Sequence, residues 1–212
     1  VALHLKENKK KVQRVMRLFG INAYRRRARR WKKPRKQAVS YPNLLMRIIP
    51  SYQHQAWVAD FTHLAWFDKD IRIATTMDVY TRDIVGVAIG TRGGAALVTA
   101  AFANALLAHQ RPLIFHSDNG VEYGAKSFRA LLERTGVSIS RSKPGCPWEN
   151  GYQESFYGKF KAEFGDPERF KTLGELVAEI YLAIHRYNTL RIHSVLRMAP
   201  RQFAQLHARA ML

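Results

Sequence analysis

Three acids stand where a carboxylate is costly unless it binds something. Asp60 interrupts the strand-like run Trp57-Val58-Ala59-Asp60-Phe61-Thr62, and Asp118 follows the short apolar run Pro112–His116. Glu154 sits in a helical segment behind Ser142–Trp148, a loop rich in chain breakers. Acids are seldom buried unless paired or metal-bound. Two carboxylates about 4 Å apart repel by roughly 4 kcal/mol at an effective dielectric of 20, and a divalent cation reverses that sign. Mg²⁺, or Mn²⁺ in its place, takes few carboxylates and leaves positions open for phosphate oxygens. Two such ions about 3.5–4 Å apart can activate a nucleophile and stabilise the leaving oxygen of a phosphoryl transfer. If the three acids converge, they can support metal-dependent phosphodiester chemistry.

Neighbouring residues fit supporting roles. Asn150, Glu154 and Lys161 are spaced i, i+4 and i+11. On a helix Lys161 returns to within about 20° of Glu154, roughly 10 Å further along, as a cation for a DNA backbone. An ordinary surface helix of mixed charge explains the same spacing. Asn119 and Asn150 are candidates to hold metal-bound carboxylates by hydrogen bonds. His116 either shapes the pocket or contacts phosphate. Tyr152 and Trp148 either stack on an unpaired base or pack in the core. Of the competing acids, Asp83 reads as a turn residue capping backbone groups, Asp78 as a strand end and Glu122 as a surface residue. One cysteine, Cys146, excludes an internal disulfide and a cysteine-rich zinc site.

The elements that must position these residues follow from periodicity. Strands are expected at 57–62, 71–78 and 84–89, with a turn at Tyr80–Asp83. An alanine- and leucine-rich helix at 95–109, a buried strand at 112–116, a helix at 125–135 and a brief strand at 137–140 come next. A helix over 149–164 and a later one opened by the capping box Thr172/Glu175 complete the pattern. The order β-β-β-α-β-α-β-α-α predicts an α/β fold, a mixed sheet flanked by helices. Upstream, Val12, Val15, Met16 and Phe19 mark a short helix closed by Gly20, and Pro34, Pro42 and Pro50 mark an extended linker. The expected organisation is a basic helical arm and linker over 1–55 and a catalytic core with C-terminal helices over 56–212.

Charge names the partner class. Of 212 residues, 35 are Lys or Arg and 16 are acidic, a net charge of +19. Residues 1–50 hold 16 of the basic residues against one acid, Glu7, so the arm is cationic and the body nearly balanced. Arg25, Arg26, Arg27, Arg29, Arg30, Lys32 and Lys33, interleaved with Tyr24 and Trp31, are the candidate DNA contacts. Phosphate neutralisation of this kind is salt-sensitive and sequence-tolerant. No stretch approaches the roughly 18 apolar residues of a membrane span, so a cytoplasmic, DNA-associated protein without a membrane partner is expected. Val1 in place of an initiator Met is the mark expected of a fragment of something longer.

The three acid motifs together resemble the DDE integrase core. They are Trp57-Val58-Ala59-Asp60-Phe61-Thr62, His116-Ser117-Asp118-Asn119-Gly120-Val121-Glu122-Tyr123 and Trp148-Glu149-Asn150-Gly151-Tyr152-Gln153-Glu154-Ser155-Phe156. The 35 residues between Asp118 and Glu154, and the position of Lys161, are similar to one large group of insertion-sequence transposases, made by frameshifting between two reading frames. Tyr187-Asn188-Thr189-Leu190-Arg191-Ile192-His193-Ser194 is similar to that group's closing motif, with Ile192 where proline is usual. Lys11–Leu18 resembles the end of the helix-turn-helix that precedes the core. The resemblance implies a ribonuclease H-like fold, with Asp60, Asp118 and Glu154 as catalytic metal ligands for two Mg²⁺ or Mn²⁺ ions. It implies cleavage at insertion-element ends and 3′-OH strand transfer, on double-stranded DNA and by a homo-oligomer on that DNA. A catalytically inert DNA-binding remnant and a structure-specific nuclease of the same fold are the alternatives.

Overall fold

The computed structural model describes residues 7–21 and 41–209, and chain contacts group it into Val1–Gln37 and Ala38–Leu212. In the first unit, α1 (Lys9–Leu18) is capped by the Asn8 side chain, which accepts from the Lys10 amide, and Gly20 follows at φ 64°. None of its residues is buried: Val15 and Leu18 are exposed, and Val12 and Met16 are partly covered. Arg25, Arg26, Arg27, Arg29, Arg30, Lys32 and Lys33 lie outside the described residues.

The second unit is built on five strands: β1 (Ala56–Trp66), β2 (Lys69–Asp78), β3 (Ile84–Gly90), β4 (Ile114–Ser117) and β5 (Ser138–Arg141). Their order is β3-β2-β1-β4-β5. The first three run antiparallel, while β4 and β5 pair in parallel with their neighbours. Helices α2 (Ala95–Ala108), α3 (Lys126–Arg134), α4 (Gly151–Phe164), α5 (Leu173–Thr189) and α6 (Pro200–Arg209) complete the unit. No helix among the described residues is long and apolar enough to cross a membrane.

Alternation along β1 divides the core. Trp57 and Ala59 face a cluster with Phe102, Phe115, Phe128 and Leu132, under α2 and α3. Val58, Leu64 and Trp66 face the other cluster, with Phe156, Phe160, Leu176 and Ile180 from α4 and α5. The period of two therefore points Asp60 toward the α4 side. The alanine-rich α2 lies very close to the sheet at Gly86 of β3. A Cβ there would meet the Ala101 carbonyl oxygen at 2.2 Å and the Ala105 methyl at 2.8 Å.

Residues 41–55 are extended at first, as the prolines predict, but they are tied to the sheet. The Arg141 amide donates to the Pro42 carbonyl at 3.2 Å, the Leu44 amide donates to Ser140 Oγ at 2.8 Å, and Leu45 is buried. The first strand runs four residues further than expected, to Trp66, the other strand edges shift by no more than two residues, and the Thr172/Glu175 capping box forms. One turn assignment needs correction. The capping acid of the β2–β3 turn is Asp78 and not Asp83, because Asp78 Oδ1 accepts from the Tyr80 and Thr81 amides and its Oδ2 from the His54 amide. Asp83 instead lies buried with Arg201 Nε 3.6 Å away.

Two tests follow. Gly86→Ala is expected to cost about 3 kcal/mol in urea unfolding, because overpacking against helix backbone cannot relax. Gly158→Ala, a mid-α4 position with nothing within 4 Å of the added methyl, is expected to stabilise by about 1 kcal/mol. Asp83 gives a pH signature. Burial pushes its carboxyl up to about 7, with the Arg201 charge opposing and Asp78 adding. The folded state then holds a proton that the unfolded chain releases near pH 4, so this group's contribution to stability falls as pH rises from 4 through 7. Asp83→Asn should remove that fall, up to about 4 kcal/mol; equal pH slopes for variant and wild type would refute the assignment.

Candidate active site

The register of the sheet brings the two aspartates together. Ala59 on β1 pairs with Ser117 on β4, so Asp60, in the middle of β1, and Asp118, just past the end of β4, each follow a residue of the same pair. Past Ser117 the chain turns away, and the Gly120 amide donates to Asp118 Oδ1 at 2.9 Å. Behind this turn Tyr123 is buried against Phe115 and Phe128, and its carbonyl accepts from Arg141 Nη2. The loop carrying Asp118 is thus anchored from below.

Glu154 arrives on α4, whose docking is directed by hydrogen bonds more than by apolar contact at this end. Asn150 Nδ2 donates to the Ala59 carbonyl at 3.3 Å, Gln153 Nε2 to the Val58 carbonyl at 2.8 Å, and the Tyr157 hydroxyl to the Asp60 carbonyl at 2.9 Å. Thr75, directly across β2 from Asp60, donates its hydroxyl to Gln153 Oε1 at 3.0 Å and lies 2.8 Å from the Tyr157 hydroxyl. Residues 150, 153 and 157 follow helical spacing, so one face of α4 reads the β1 backbone at three successive carbonyls. Glu154 is next to that face. Gln153 and Tyr157 were not singled out from the sequence; their i, i+4 spacing was visible, but their partners lie 95 and 97 positions away.

One cleft of about 480 Å³ collects Asp60, Asp118 and Glu154 with Asn119, Asn150, Lys143 and Cys146. Burial pushes the Asp60 carboxyl up to about 7; the Phe61 amide opposes this, and the charges of Asp118 and Glu154 add to it. The acids therefore feel one another. They do not form a closed cage: among the described residues no three His, Cys, Asp or Glu side chains are poised to hold an ion, and Glu154 is exposed.

The supporting residues separate by position. Asn119 and Asn150 line the cleft. Asn119 Nδ2 donates to the Ser142 carbonyl, while Asn150 Oδ1 is buried with no hydrogen-bond partner among the described residues. His116 is fully buried, its ring nitrogens 2.8 Å from Ser140 Oγ and 3.2 Å from Ser142 Oγ, and burial lowers its pKa to about 4. It is a neutral brace between β4 and the start of the 142–148 loop, away from the cleft surface. Lys161 is exposed on α4, outside the cleft lining. Of the two aromatics, Trp148 is exposed, whereas Tyr152 packs against the core under the Arg82 guanidinium, 4.1 Å from its ring centre. Glu149 was also missed from the sequence. Its carboxylate accepts from the Lys143 amide at 2.7 Å and from Asn43 Nδ2 at 2.8 Å, bonds that hold its pKa below the usual range.

Comparison with known proteins places this geometry. The Integrase core domain family matches residues 50–147, and a second Integrase core domain family matches 135–200. The transposase for insertion sequence element IS904 of Lactococcus lactis subsp. lactis (strain IL1403) is 32% identical over 207 residues, covering 95% of this chain and 82% of that protein. Among solved structures, a simian T-cell lymphotropic virus intasome in complex with PP2A regulatory subunit B56 gamma aligns at a TM-score of 0.65 and 16% identity, covering 72% of this chain and 55% of that one. The HTLV-2 integrase catalytic core domain in complex with magnesium aligns at 0.60 and 17%, covering 72% and 97%. The mixed sheet and its flanking helices are the ribonuclease H-like fold of retroviral integrase cores, as the sequence implied.

The α4 contacts yield a paired test. Gln153→Ala removes the bonds to the Val58 carbonyl and the Thr75 hydroxyl from a fully buried position and is expected to cost about 2 kcal/mol in denaturant unfolding. Glu154→Gln, at an exposed site that removes a like charge, should leave stability unchanged or slightly raised. The reverse order of effects would contradict the docking described.

Proposed function

The chain belongs to the DDE-type insertion-sequence transposases with an integrase core domain, and from that membership we propose metal-dependent cleavage at the ends of a mobile element followed by 3′-OH strand transfer. One observation carries the reading: Asp60, Asp118 and Glu154, drawn from a strand, a turn and a helix, line a single cleft.

The residues fit a divalent cation. Their donors are hard carboxylate oxygens, the type Mg²⁺ and Mn²⁺ prefer. Three acids face one lining cation, Lys143, and at Asp60 the charges of Asp118 and Glu154 add to a rise that burial dominates. Asp60 and Asp118 would share the ions, two in number, and Glu154 would complete one of them. When bound, such ions neutralise charge on the phosphodiester and lower the pKa of an attacking water.

The chain's own groups orient the substrate. The Gly120 amide fixes the Asp118 carboxylate, Asn150 braces the cleft against β1, and Lys143 offers a cation to phosphate at the rim. In the first step a water oxygen bonds to phosphorus as the bond to O3′ breaks, and that oxygen takes a proton to become a 3′-OH. In the second the 3′-OH oxygen bonds to another phosphorus while a different O3′ departs. The count of P–O bonds is conserved, and no covalent protein–DNA bond forms. Lys161 and the arginines and lysines of 25–33 supply backbone contacts. Joining two ends calls for at least two protomers, so the DNA-bound form is read as a homo-oligomer.

The test uses an element-end duplex, a target plasmid and Mn²⁺ or Mg²⁺. Wild type should cut and join. Asp118→Asn should do neither while binding duplex DNA as tightly as wild type. Cutting by Asp118→Asn at the wild-type rate refutes the assignment, and cutting without joining by wild type reduces the protein to a nuclease.

A further inference from the structure

A second, smaller pocket of about 180 Å³ opens on a different face of α4 and plays no part in the chemistry above. Its polar lining comes from Arg82 of the β2–β3 turn, Ser155 and Lys159 of α4, Tyr187 of α5, and His193 and Ser194 of the loop after α5. No described lining residue is acidic. Three segments far apart in sequence thus bring a guanidinium, an ammonium, an imidazole and hydroxyls to one cavity without a counter-charge.

Arg82 supplies the strongest indication. Its Nε and Nη1 are buried and have no hydrogen-bond partner among the described residues. Its guanidinium carbon lies over the Tyr152 ring, 4.1 Å from the centre, a contact that holds it without using its N–H groups. The residue is held at φ 63°, in the left-handed region, which a side chain of this size enters at a cost. Buried donors left unpaired destabilise a protein unless something meets them. His193 is similarly prepared. The Val195 amide donates to its Nδ1 at 3.3 Å, so the neutral ring carries its proton on Nε2, as a donor. The charges of Arg82, Lys159 and Arg191 all depress its pKa, beyond the effect of burial, so the local field is positive. Asp83, whose charge acts on the lining Tyr187, has Arg201 3.6 Å away, and Glu163 pairs with Arg191 at 2.7 Å.

We propose that this pocket binds a single phosphate group of a DNA strand, contacted by Arg82, Lys159 and His193. An oxyanion would meet the unpaired guanidinium donors and balance the positive field. Ser155 follows Glu154 directly on α4, one helical step of 100° around the axis. A strand crossing α4 with its scissile phosphate in the acidic cleft therefore passes this pocket with another of its phosphates. The choice of DNA as the source rests on the transposase reading; the anion chemistry does not.

The experiment has two arms, both independent of catalysis. In the first, thermal unfolding of wild type, Arg82→Gln, Lys159→Gln and Lys159→Arg is measured with inorganic phosphate and with chloride at matched ionic strength. Phosphate should raise the wild-type Tm; the rise should vanish in Lys159→Gln and return in Lys159→Arg. In the second, duplex affinity is measured against salt without divalent metal. Loss of one phosphate contact lowers the log–log salt slope by about 0.9, expected for Lys159→Gln and Arg82→Gln and not for Lys159→Arg. Lys159 is the partly exposed position, so its variants remain informative if Arg82→Gln fails to fold. A phosphate-dependent Tm with an unchanged DNA slope assigns the pocket to a free phosphate compound and overturns the DNA assignment. No phosphate effect together with unchanged slopes overturns the site altogether, whether or not the protein cuts DNA.

Discussion

The arrangement depends on how the backbone of β1 is satisfied. Carbonyls have two lone pairs, and those of Val58, Ala59 and Asp60, in a strand laddered on both sides, also accept from Gln153, Asn150 and Tyr157. A helix held only by apolar contacts can slide by a turn at modest cost, whereas one whose amide side chains are matched to successive carbonyls cannot. That matching sets where Glu154 stands relative to Asp60. The Ala59–Ser117 pairing sets where Asp118 stands. Structural hydrogen bonds and chemical residues are therefore neighbours in the same few positions, and the site inherits its precision from the sheet.

Much of this was legible from residue order. An aspartate in an alternating apolar strand, another just past a buried strand and a glutamate on a helix after a loop of breakers are unusual enough to stand out. Local signals also gave the Thr172–Glu175 cap and the β2–β3 turn. Interactions between distant segments were not legible. Asp78 and Asp83 flank the same turn; Asp78 caps it through the nearby Tyr80 and Thr81 amides, whereas only the approach of Arg201 shows Asp83 to face a cation. Likewise a histidine before Asp118 suits substrate contact or bracing equally well, and the burial that decides between them comes from β5.

The cleft is assembled around charges that oppose its closure. Nothing in the sheet relieves the repulsion among the three acids; α4 is instead anchored by neutral amides and by the phenol of Tyr157, whose burial keeps it protonated. Stability and reactivity are thus assigned to different side chains on one helix. Gln153 is wholly buried and Glu154, beside it, is exposed. The fold does not require the acids to come together; it only keeps them within reach.

Glu149 draws two distant stretches to one point. Its carboxylate accepts from Lys143, at the start of the loop that rims the cleft, and from Asn43, on the segment leading into β1. Loop and segment share a single knot. Because Pro42 and Leu44 on either side of Asn43 are bonded to β5, a displacement of this segment acts on the sheet edge and the mouth of the cleft together.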